Sequence, residues 1–403
     1  MILIVDSVSA QEIDRSETVA GRFNSILQPE GMPVGAMRLY PRIGVGGLSS
    51  DNVFANDDFK KNDWAYVANG ELVLRSNTSR FFAEVGARGE LERYDDFDQN
   101  DSDTSKIWFS GDVDLTRASN LGVDLSYASL TESRTSADLA EGALELTEYN
   151  IDELRGRYFY QPSRWSMRLD GRYRVVNYDD VDTLFGRVDN DDRDRDMLDL
   201  SARFGYDLDE GYGLFLEGRL NDVEYDQTVD NDGFERSYDG FEALLGSDLK
   251  LSGLIVGEFY LGYLYREFDD RRFDKSEGIS YGADIDWVIT NLITLNFGAK
   301  RDTKPTTITG ASTVLDSRVS VGVDYEFRRN LILRAGYEFR NLDYEDIPRE
   351  DDNNIVTFGA EYRINRNFWL TAGYRYYDRD DHSESGGREF TINEYTFQLS
   401  YQI

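Results

Sequence analysis

The sequence predicts an all-β fold: a transmembrane, antiparallel, up-and-down β-barrel of about 18 strands, with short periplasmic turns and long acidic extracellular loops. Three observations predict this fold. Apolar and polar residues alternate along many segments, the segments reach roughly 10–14 residues, and the connections between them are alternately short and long.

The alternation is clearest in the stretch LILRAGYEFRNLDY, residues 331–344. From Leu331 to Phe339 every second residue is apolar or aromatic, and the residues on the other face include Arg334, Glu338 and Arg340. Side chains of a strand point alternately to opposite faces, so one face is apolar and the other is charged. Segments with the same period lie at 167–178, 196–208, 293–302, 319–327, 356–364, 370–378 and 395–403.

The connections supply the strand count. Short connections lie at 76–79, 117–120, 161–164, 209–212, 251–253, 290–291, 328–330 and 365–367. Long polar connections lie at 49–63, 95–105, 131–143, 179–196, 226–237, 269–278, 303–312, 345–354 and 378–389. Short turns on one side and long loops on the other are typical of outer-membrane barrels, and together they imply about 18 strands.

Strand length decides what covers the apolar face. Strands of soluble proteins average about 5–6 residues, whereas a strand that crosses lipid needs about 9–11. A closed barrel has no unpaired edge, which lipid requires because it offers no water to the backbone. We therefore expect the apolar face to meet lipid and the charged face to line a wet lumen.

Composition excludes several classes of protein. The chain has 403 residues, with 44 basic and 77 acidic side chains and a formal net charge of -33. So acidic a chain lacks the positive footprint that a nucleic acid would need. It has no cysteine, which rules out disulfides and Cys-ligated metal centres. We expect no cofactor, no dedicated metal site and no nucleic-acid partner.

The N-terminus, MILIVDSVSA, resembles the end of a secretory signal, with an apolar run before a small-residue cleavage site. We expect residues 1–10 to be a remnant of that signal peptide; an ordinary frayed terminus is the alternative. Residues 11–35 are then a periplasmic N-terminal segment, which could be a tail, a plug or a partner-docking strand. Residues 36–403 form the transmembrane barrel.

Aromatic residues near the strand ends predict two interfacial girdles. The girdle below the long loops is predicted at Tyr94, Tyr178, Tyr225, Tyr344 and Tyr376. The girdle near the short turns is predicted at Trp165, Trp287, Phe327 and Phe368.

The alternation also nominates the pore-lining charges. Two basic arcs are predicted at Arg155, Arg157, Arg168, Arg172, Arg174, Arg203 and Arg219, and at Arg334, Arg340, Arg363 and Arg375. Acidic walls are predicted at Asp112, Asp114, Asp124, Asp284, Asp286, Asp324 and Glu326. Opposed arcs would create a transverse field that orients polar or anionic solutes. The alternative is that these charges pair across strands and only keep the wall wet.

Catalysis has little support, and we expect no enzyme activity and no catalytic residue. The chain has one histidine, His382, in the stretch DRDDHSESGG, where acids and serines are expected by chance. A rim enzyme that uses His382 is the less favoured alternative. The run DNDDRDRD at 189–196 lacks the glycine and the terminal Glu of an EF-hand loop, so it does not predict a calcium site.

The segment 31–64 carries a family resemblance. It has a Pro/Gly-rich lead-in with Pro33 and Gly35, a Leu-Tyr-Pro first strand at 39–41, Asp-Asn-Val-Phe at 51–54, and Asp63 before the second strand. In these features the chain resembles the putative β-barrel porin 2 family, and the likeness continues in pattern to Ile403.

The resemblance implies a porin-like channel in the outer membrane of a Gram-negative bacterium, serving as the exit pore for a secreted exopolysaccharide or capsule. A general diffusion porin for small polar solutes is the alternative. Expected partners are outer-membrane lipid and lipopolysaccharide, a polysaccharide or small polar solute in the lumen, and periplasmic polysaccharide-export proteins. Inward aromatics that could stack on sugar rings are Trp108, Tyr260 and Tyr377.

Overall fold

The computed structural model describes residues 15–26, 28–76, 78, 80–140, 142–251, 254–383 and 387–403. The predicted signal remnant, residues 1–10, lies outside the described residues. The helix is α1 (Val19–Ile26). The strands are β1 (Met32–Val34), β2 (Met37–Ser50), β3 (Asp63–Ser76), β4 (Phe81–Tyr94), β5 (Ser102–Thr116), β6 (Ser119–Thr131), β7 (Glu148–Tyr160), β8 (Trp165–Tyr178), β9 (Val181–Thr183), β10 (Gly186–Val188), β11 (Arg195–Asp209), β12 (Tyr212–Tyr225), β13 (Tyr238–Leu251), β14 (Ile255–Phe268), β15 (Ser276–Thr290), β16 (Ile293–Lys304), β17 (Val314–Arg328), β18 (Leu331–Tyr344), β19 (Arg349–Arg363), β20 (Phe368–Asp381) and β21 (Phe390–Gln402).

Eighteen of these strands, β2–β8 and β11–β21, form a closed antiparallel barrel, as the sequence predicted. Each strand pairs with its neighbours in the chain, and β8 pairs with β11 across the loop that holds the short strands β9 and β10. The barrel closes where β2 pairs with β21, from Arg42 opposite Gln402 to Ser50 opposite Glu394. Closure leaves no strand edge exposed to lipid.

The two faces of the wall differ as the alternation predicted. On β18, Leu333 and Tyr337 are exposed on the outer surface. Between them, Arg334 lies 3.5 Å from Asp324 of β17 and 3.2 Å from Glu361 of β19, on the opposite face. The apolar side chains on the outside have no protein to pack against, so only lipid can keep them from water. The charged face therefore lines the lumen.

The connections segregate to the two ends of the barrel. At one end, hairpins such as β15–β16 and β17–β18 turn within two residues, at 291–292 and 329–330. At the other end, long loops follow β2, β6, β8, β12, β16 and β20. Among the described residues, no helix combines the length and the apolar character needed to cross a bilayer.

The aromatic side chains near the short turns are exposed on the outer face, at Trp165, Trp287, Phe327 and Phe368. The girdle predicted below the long loops is wrong at Tyr94, Tyr178, Tyr225 and Tyr344, which occupy lumen-facing positions. A shift of one residue exchanges the two faces of a strand, and these four residues have the inward parity. Outward tyrosines near that end are Tyr127, Tyr173, Tyr263, Tyr337 and Tyr395.

The described part of the N-terminal segment lies against the lumen wall at the short-turn end. The backbone N–H of Val19 donates to Thr294 Oγ1 at 2.9 Å, and Val19 and Phe23 are buried against Ile332 of β18. Arg15 pairs with Asp284 at 2.7 Å, so charge as well as apolar contact holds this segment. The chain then leaves the lumen through β1, which forms a short hairpin with β2.

Candidate functional site in the lumen

The structure places every predicted pore-lining charge at a lumen-facing position of its strand. Most of these arginines do not face the lumen as unpaired cations. Nearly all of the arginines contact a carboxylate of the same or a neighbouring strand. This arrangement favours the alternative in which the charges pair across strands over the one in which they create a transverse field. Opposite charges alternate at short range, so their fields largely cancel across the lumen.

The first basic arc begins with a buried cluster on β5–β8. Arg157 is only 3% exposed and reaches Asp124 at 3.0 Å and Asp112 at 3.5 Å. Next to it, Arg155 pairs with Asp170 at 2.7 Å. A guanidinium buried among carboxylates is stable only while they remain ionised and close, so this cluster is a rigid part of the wall.

The rest of the first arc is paired in the same way. Arg172 approaches Glu153 at 3.8 Å and Arg174 approaches Asp199 at 2.8 Å. Glu217 lies between Arg219, at 2.6 Å, and Arg203, which also reaches Glu258 at 2.9 Å. Arg168 stands opposite Arg203 in the β8–β11 register, and its Nε atom is buried without a hydrogen-bond partner.

The second arc is built around three acids that were not predicted: Asp316, Glu361 and Glu394. Arg340 pairs with Asp316 at 3.0 Å, Arg363 with Glu361 at 2.8 Å, and Arg375 with Glu394 at 3.4 Å. The hydrophobic alternation identified the arginines but gave no reason to rank these acids above others, because pair geometry depends on strand register.

The acidic positions on β15 and β17 receive the N-terminal segment. Arg15 contacts both Asp284 and Asp286, and Arg22 lies 3.7 Å from Glu326. Of the remaining predicted acids, Asp324 pairs with Arg334, and Asp114 accepts a hydrogen bond from Asn120 Nδ2 at 3.1 Å.

An aromatic side chain lies on the wall at β4–β5. Trp108 and Gly86 are opposite each other in the register, and a Cβ on Gly86 would overlap the indole. The indole can lie against the wall only because position 86 is glycine. Its Nε1 donates to Glu84 Oε1 at 2.9 Å, and Arg75 holds Glu84 in turn. We call Trp108 over Gly86 the tryptophan platform.

A second platform repeats the device at β14–β15. Tyr260 is opposite Gly282, and a Cβ on Gly282 would overlap the phenol ring. The guanidinium of Arg219 lies 5.1 Å from the ring centroid, within cation–π range. A groove of about 300 Å³ runs along this wall, and a similar one runs beside Trp108. We call Tyr260 over Gly282 the tyrosine platform.

Tyr377 does not form such a platform. It is buried, its ring stacks on Phe390 at 5.5 Å between centroids, and its hydroxyl donates to Asn353 Oδ1 at 2.6 Å. The sequence suggested all three inward aromatics equally. What distinguishes Trp108 and Tyr260 from Tyr377 is a glycine at the position directly opposite on the neighbouring strand. That glycine can be identified only when the strand pairing is known.

A loop segment crosses the long-loop end of the lumen. Residues 132–140 follow β6, and we call them the strap. Asp138 Oδ1 accepts a hydrogen bond from Thr306 Oγ1 at 2.7 Å and one from the N–H of Thr307 at 2.8 Å, both in the β16–β17 loop. Arg379 Nη1 donates to the carbonyl of Thr135 at 3.1 Å. The strap thus joins distant walls across the mouth.

The loop at 179–196 has a different role from the strap. It contains the β9–β10 hairpin, and Thr183 forms an isolated bridge with Ala143 of the β6–β7 loop. Asp180, Asp189 and Asp191 bring their carboxylates together there, but Asp180 already pairs with Arg187 at 2.9 Å. We assign no metal to them.

His382 lies on the outer side of the rim. Its Nε2 is 3.4 Å from Asp352 Oδ2, and its side chain is exposed. Asp352 occupies an outward position of β19, so the pair faces away from the lumen.

Comparison with known proteins gives the family. The family profile of the putative β-barrel porin 2 matches residues 25–403. No curated protein sequence matches the chain.

Solved structures agree on the fold. A mutant of the ferric enterobactin receptor PfeA from Pseudomonas aeruginosa superposes with a TM-score of 0.50 at 9% identity, over 93% of this chain and 82% of that one. The apoprotein form of the FrpB iron transporter from Neisseria meningitidis gives 0.50 at 8% identity, over 94% and 83%. These identities show a shared outer-membrane barrel fold and nothing finer. The chain belongs to the putative β-barrel porin 2 family and is a porin-like β-barrel of the Gram-negative outer membrane.

Proposed function

We propose that this barrel is the outer-membrane exit pore for a secreted exopolysaccharide or capsular polysaccharide. The observation that carries the proposal is the pair of aromatic platforms, Trp108 over Gly86 and Tyr260 over Gly282, on separate lumen walls. Each presents a flat ring to a wet, charged lumen. Sugar rings have one apolar face and many hydroxyls, so they fit a surface of isolated aromatic rings among polar groups.

The charged wall supports the same cargo. Paired arginines and carboxylates provide donors and acceptors at short spacing, which suits a chain of hydroxyls that must exchange partners as it moves. A single hydrogen bond to a charged group contributes only about 1.5–3 kcal/mol in net terms, so a chain can advance from one contact to the next. A wall of this type can bind a polysaccharide chain without holding it in one place.

The decisive experiment is deletion of the gene followed by measurement of surface and secreted polysaccharide. We expect surface polysaccharide to fall while periplasmic polysaccharide accumulates. Complementation with the unchanged gene restores secretion, and complementation with the Trp108→Ala, Tyr260→Ala double variant restores it only partly. Normal surface polysaccharide in the deletion strain would reject the proposal.

A general diffusion porin is the second candidate, and the strap is the observation that favours it. A segment that narrows the mouth, as 132–140 does, suits a channel that selects small solutes by size. This candidate predicts steady ion conductance in planar bilayers, uptake of small polar solutes and no polysaccharide defect. The deletion strain therefore separates the two candidates.

A further inference from the structure

Two cations stand next to the tryptophan platform without partners. Arg88 of β4 and Lys106 of β5 are directly opposite each other in the register, and both face the lumen. Within the described ranges of the chain, neither forms an ion pair with a carboxylate or a side-chain hydrogen bond. Like charges directly opposite on a sheet repel, so this pair costs the fold some stability unless something else neutralises it.

The carboxylates of the same groove are held by other arginines. Glu84 is engaged by Arg75, at 2.7 Å from Nη2, and it also accepts from the indole of Trp108. Asp124 is held by Arg157. Glu153 approaches Arg172 at 3.8 Å. Glu71 is opposite both Arg42 and Arg88 in the register, and it approaches Arg42 at 4.0 Å. Among the described residues, no carboxylate that lines this groove lies within ion-pair distance of Arg88 or Lys106, so both cations are available to an anionic ligand.

At the tyrosine platform, the neighbouring cations are neutralised by carboxylates. Lys300 and Arg318 line its groove. Lys300 pairs with Asp302 at 2.8 Å, and Arg318 pairs with Asp316. Here the cations already have carboxylate partners, so the wall offers an aromatic ring without a free positive charge.

We propose that the tryptophan platform is a binding subsite for an acidic sugar residue, one that carries a carboxylate. The sugar ring stacks on Trp108 while its carboxylate is bound between Arg88 and Lys106. A charge-assisted hydrogen bond is stronger than a neutral one, and Arg accepts a carboxylate with two parallel N–H donors. The subsite relieves the repulsion of the cation pair. This inference rests on the proposed polysaccharide function and adds the class of polymer, a polyanionic one.

The test is isothermal titration of the detergent-solubilised full chain with hexagalacturonate and, separately, with the neutral maltohexaose. We expect hexagalacturonate to bind at least about tenfold more tightly than maltohexaose, since a charge-assisted contact is worth that ratio or more. The Arg88→Gln, Lys106→Gln double variant should lose about tenfold in affinity for hexagalacturonate and change little for maltohexaose. Trp108→Ala should weaken both ligands.

Lys300→Gln is the matched control, because it removes a lumen lysine beside the other platform. It should leave hexagalacturonate binding at Trp108 unchanged. The single variant Arg88→Gln repeats the test with a smaller perturbation, and the thermal unfolding midpoint of each variant confirms that the barrel is intact. Removing one of two opposed cations should not lower that midpoint.

Two results overturn the inference. One is equal affinity for the two hexasaccharides in the unchanged chain, and the other is an unchanged hexagalacturonate affinity in the double variant. If Trp108→Ala still weakens maltohexaose in those cases, the proposed polysaccharide function survives without the acidic subsite. If neither oligosaccharide binds the unchanged chain, the inference and the proposed function both fail.

Discussion

The two ends of the lumen are closed by different kinds of contact. At the short-turn end, the segment that carries α1 is held by ion pairs of mixed exposure: Arg15 binds Asp284, whose side chain is 63% exposed, and Asp286, whose side chain is 5% exposed. At the long-loop end, the strap is held through Arg379, whose side chain is 2% exposed and pairs with Asp351, which is 0% exposed. Exposed pairs are weak and are screened by salt, whereas buried ones are expensive to break. Of these contacts, the exposed Arg15–Asp284 pair is thus the one that can be broken at low cost.

The largest effect is expected at the strap. Asp351→Asn removes the carboxylate shared by Arg349, Arg379 and the hydroxyl of Tyr344. It leaves the buried Arg379 without its anionic partner, so we expect the free energy of unfolding to fall by about 3 kcal/mol. Urea unfolding of the refolded barrel measures it.

Asp284→Asn is the matched control at the other end. Because Asp284 is exposed, its replacement should cost less than about 1 kcal/mol. Equal losses in the two variants would show that the two closures are not different in kind.

The next effect concerns α1. Phe23→Ala removes a buried ring that packs on Ile332 and lies under the guanidinium of Arg363. Replacing a buried Phe by Ala typically lowers stability by about 3 kcal/mol. Here we expect the change to weaken the docking of the helix and to leave the stability of the barrel unchanged. We expect higher single-channel conductance in planar bilayers and faster proteolysis near residue 22, with an unchanged barrel unfolding midpoint.

Phe185→Ala provides the comparison for that variant. Phe185 is an exposed aromatic at the tip of the β9–β10 hairpin, so its removal should change neither conductance nor proteolysis. A conductance in Phe23→Ala equal to that of the unchanged chain would mean that α1 does not obstruct the lumen.

Salt should distinguish the ends without any mutation. Raising the ionic strength from about 0.1 M to about 1 M shortens the Debye length from about 10 Å to about 3 Å. The pairs Arg15–Asp284 and Arg22–Glu326 should weaken, while the buried Arg379–Asp351 pair should hold. We expect proteolysis at Arg15 and Arg22 to speed up severalfold and cleavage within the strap to stay constant. The reverse pattern would contradict the comparison.

The smallest effect is a pH dependence at the long-loop end. Burial raises the pKa of Asp194, which precedes β11, to about 6, and nearby Asp191 and Asp226 act in the same direction. The folded state therefore binds this proton more readily than the unfolded state, and ionised Asp194 lowers stability at neutral pH. That cost disappears as the pH falls from about 6 to about 4.

Asp194→Asn removes the ionisation and keeps an oxygen that can accept from the N–H of Tyr178. Its thermal midpoint should exceed that of the unchanged chain at pH 7, and the two should converge towards pH 4. A difference that grows on acidification would show that Asp194 acts through another contact.

The fold could be predicted because each lipid-crossing strand repeats the same local rule. The alternation around Arg334 can be read from consecutive residues, without knowing which strands lie beside it. The errors at Tyr94 and Tyr344 arose at strand ends, where the alternation gives way to the loop sequence and parity has to be counted from the register. These two tyrosines were therefore assigned to the outer face, although they face the lumen.

The closures could not be predicted, because their contacts join residues far apart in the chain. The hydrogen bond from Arg379 to the carbonyl of Thr135 spans 244 positions, and neither residue carries a motif. Loop 179–196 is the longest of the connections that the sequence indicates, yet the strap is the segment that reaches across. Length shows how far a loop can extend, whereas its direction depends on the partners that it finds.

The strap divides the mouth. It starts after β6 and is fastened at the β16–β17 loop, which leaves β7, β8 and β11–β16 on one side and β17–β21 with β2–β6 on the other. Passage of anything wider than half the opening would therefore require Asp138 to release Thr306 and Thr307 and Arg379 to release the carbonyl of Thr135. The strap would then hold back bulky polymers until both of these contacts open.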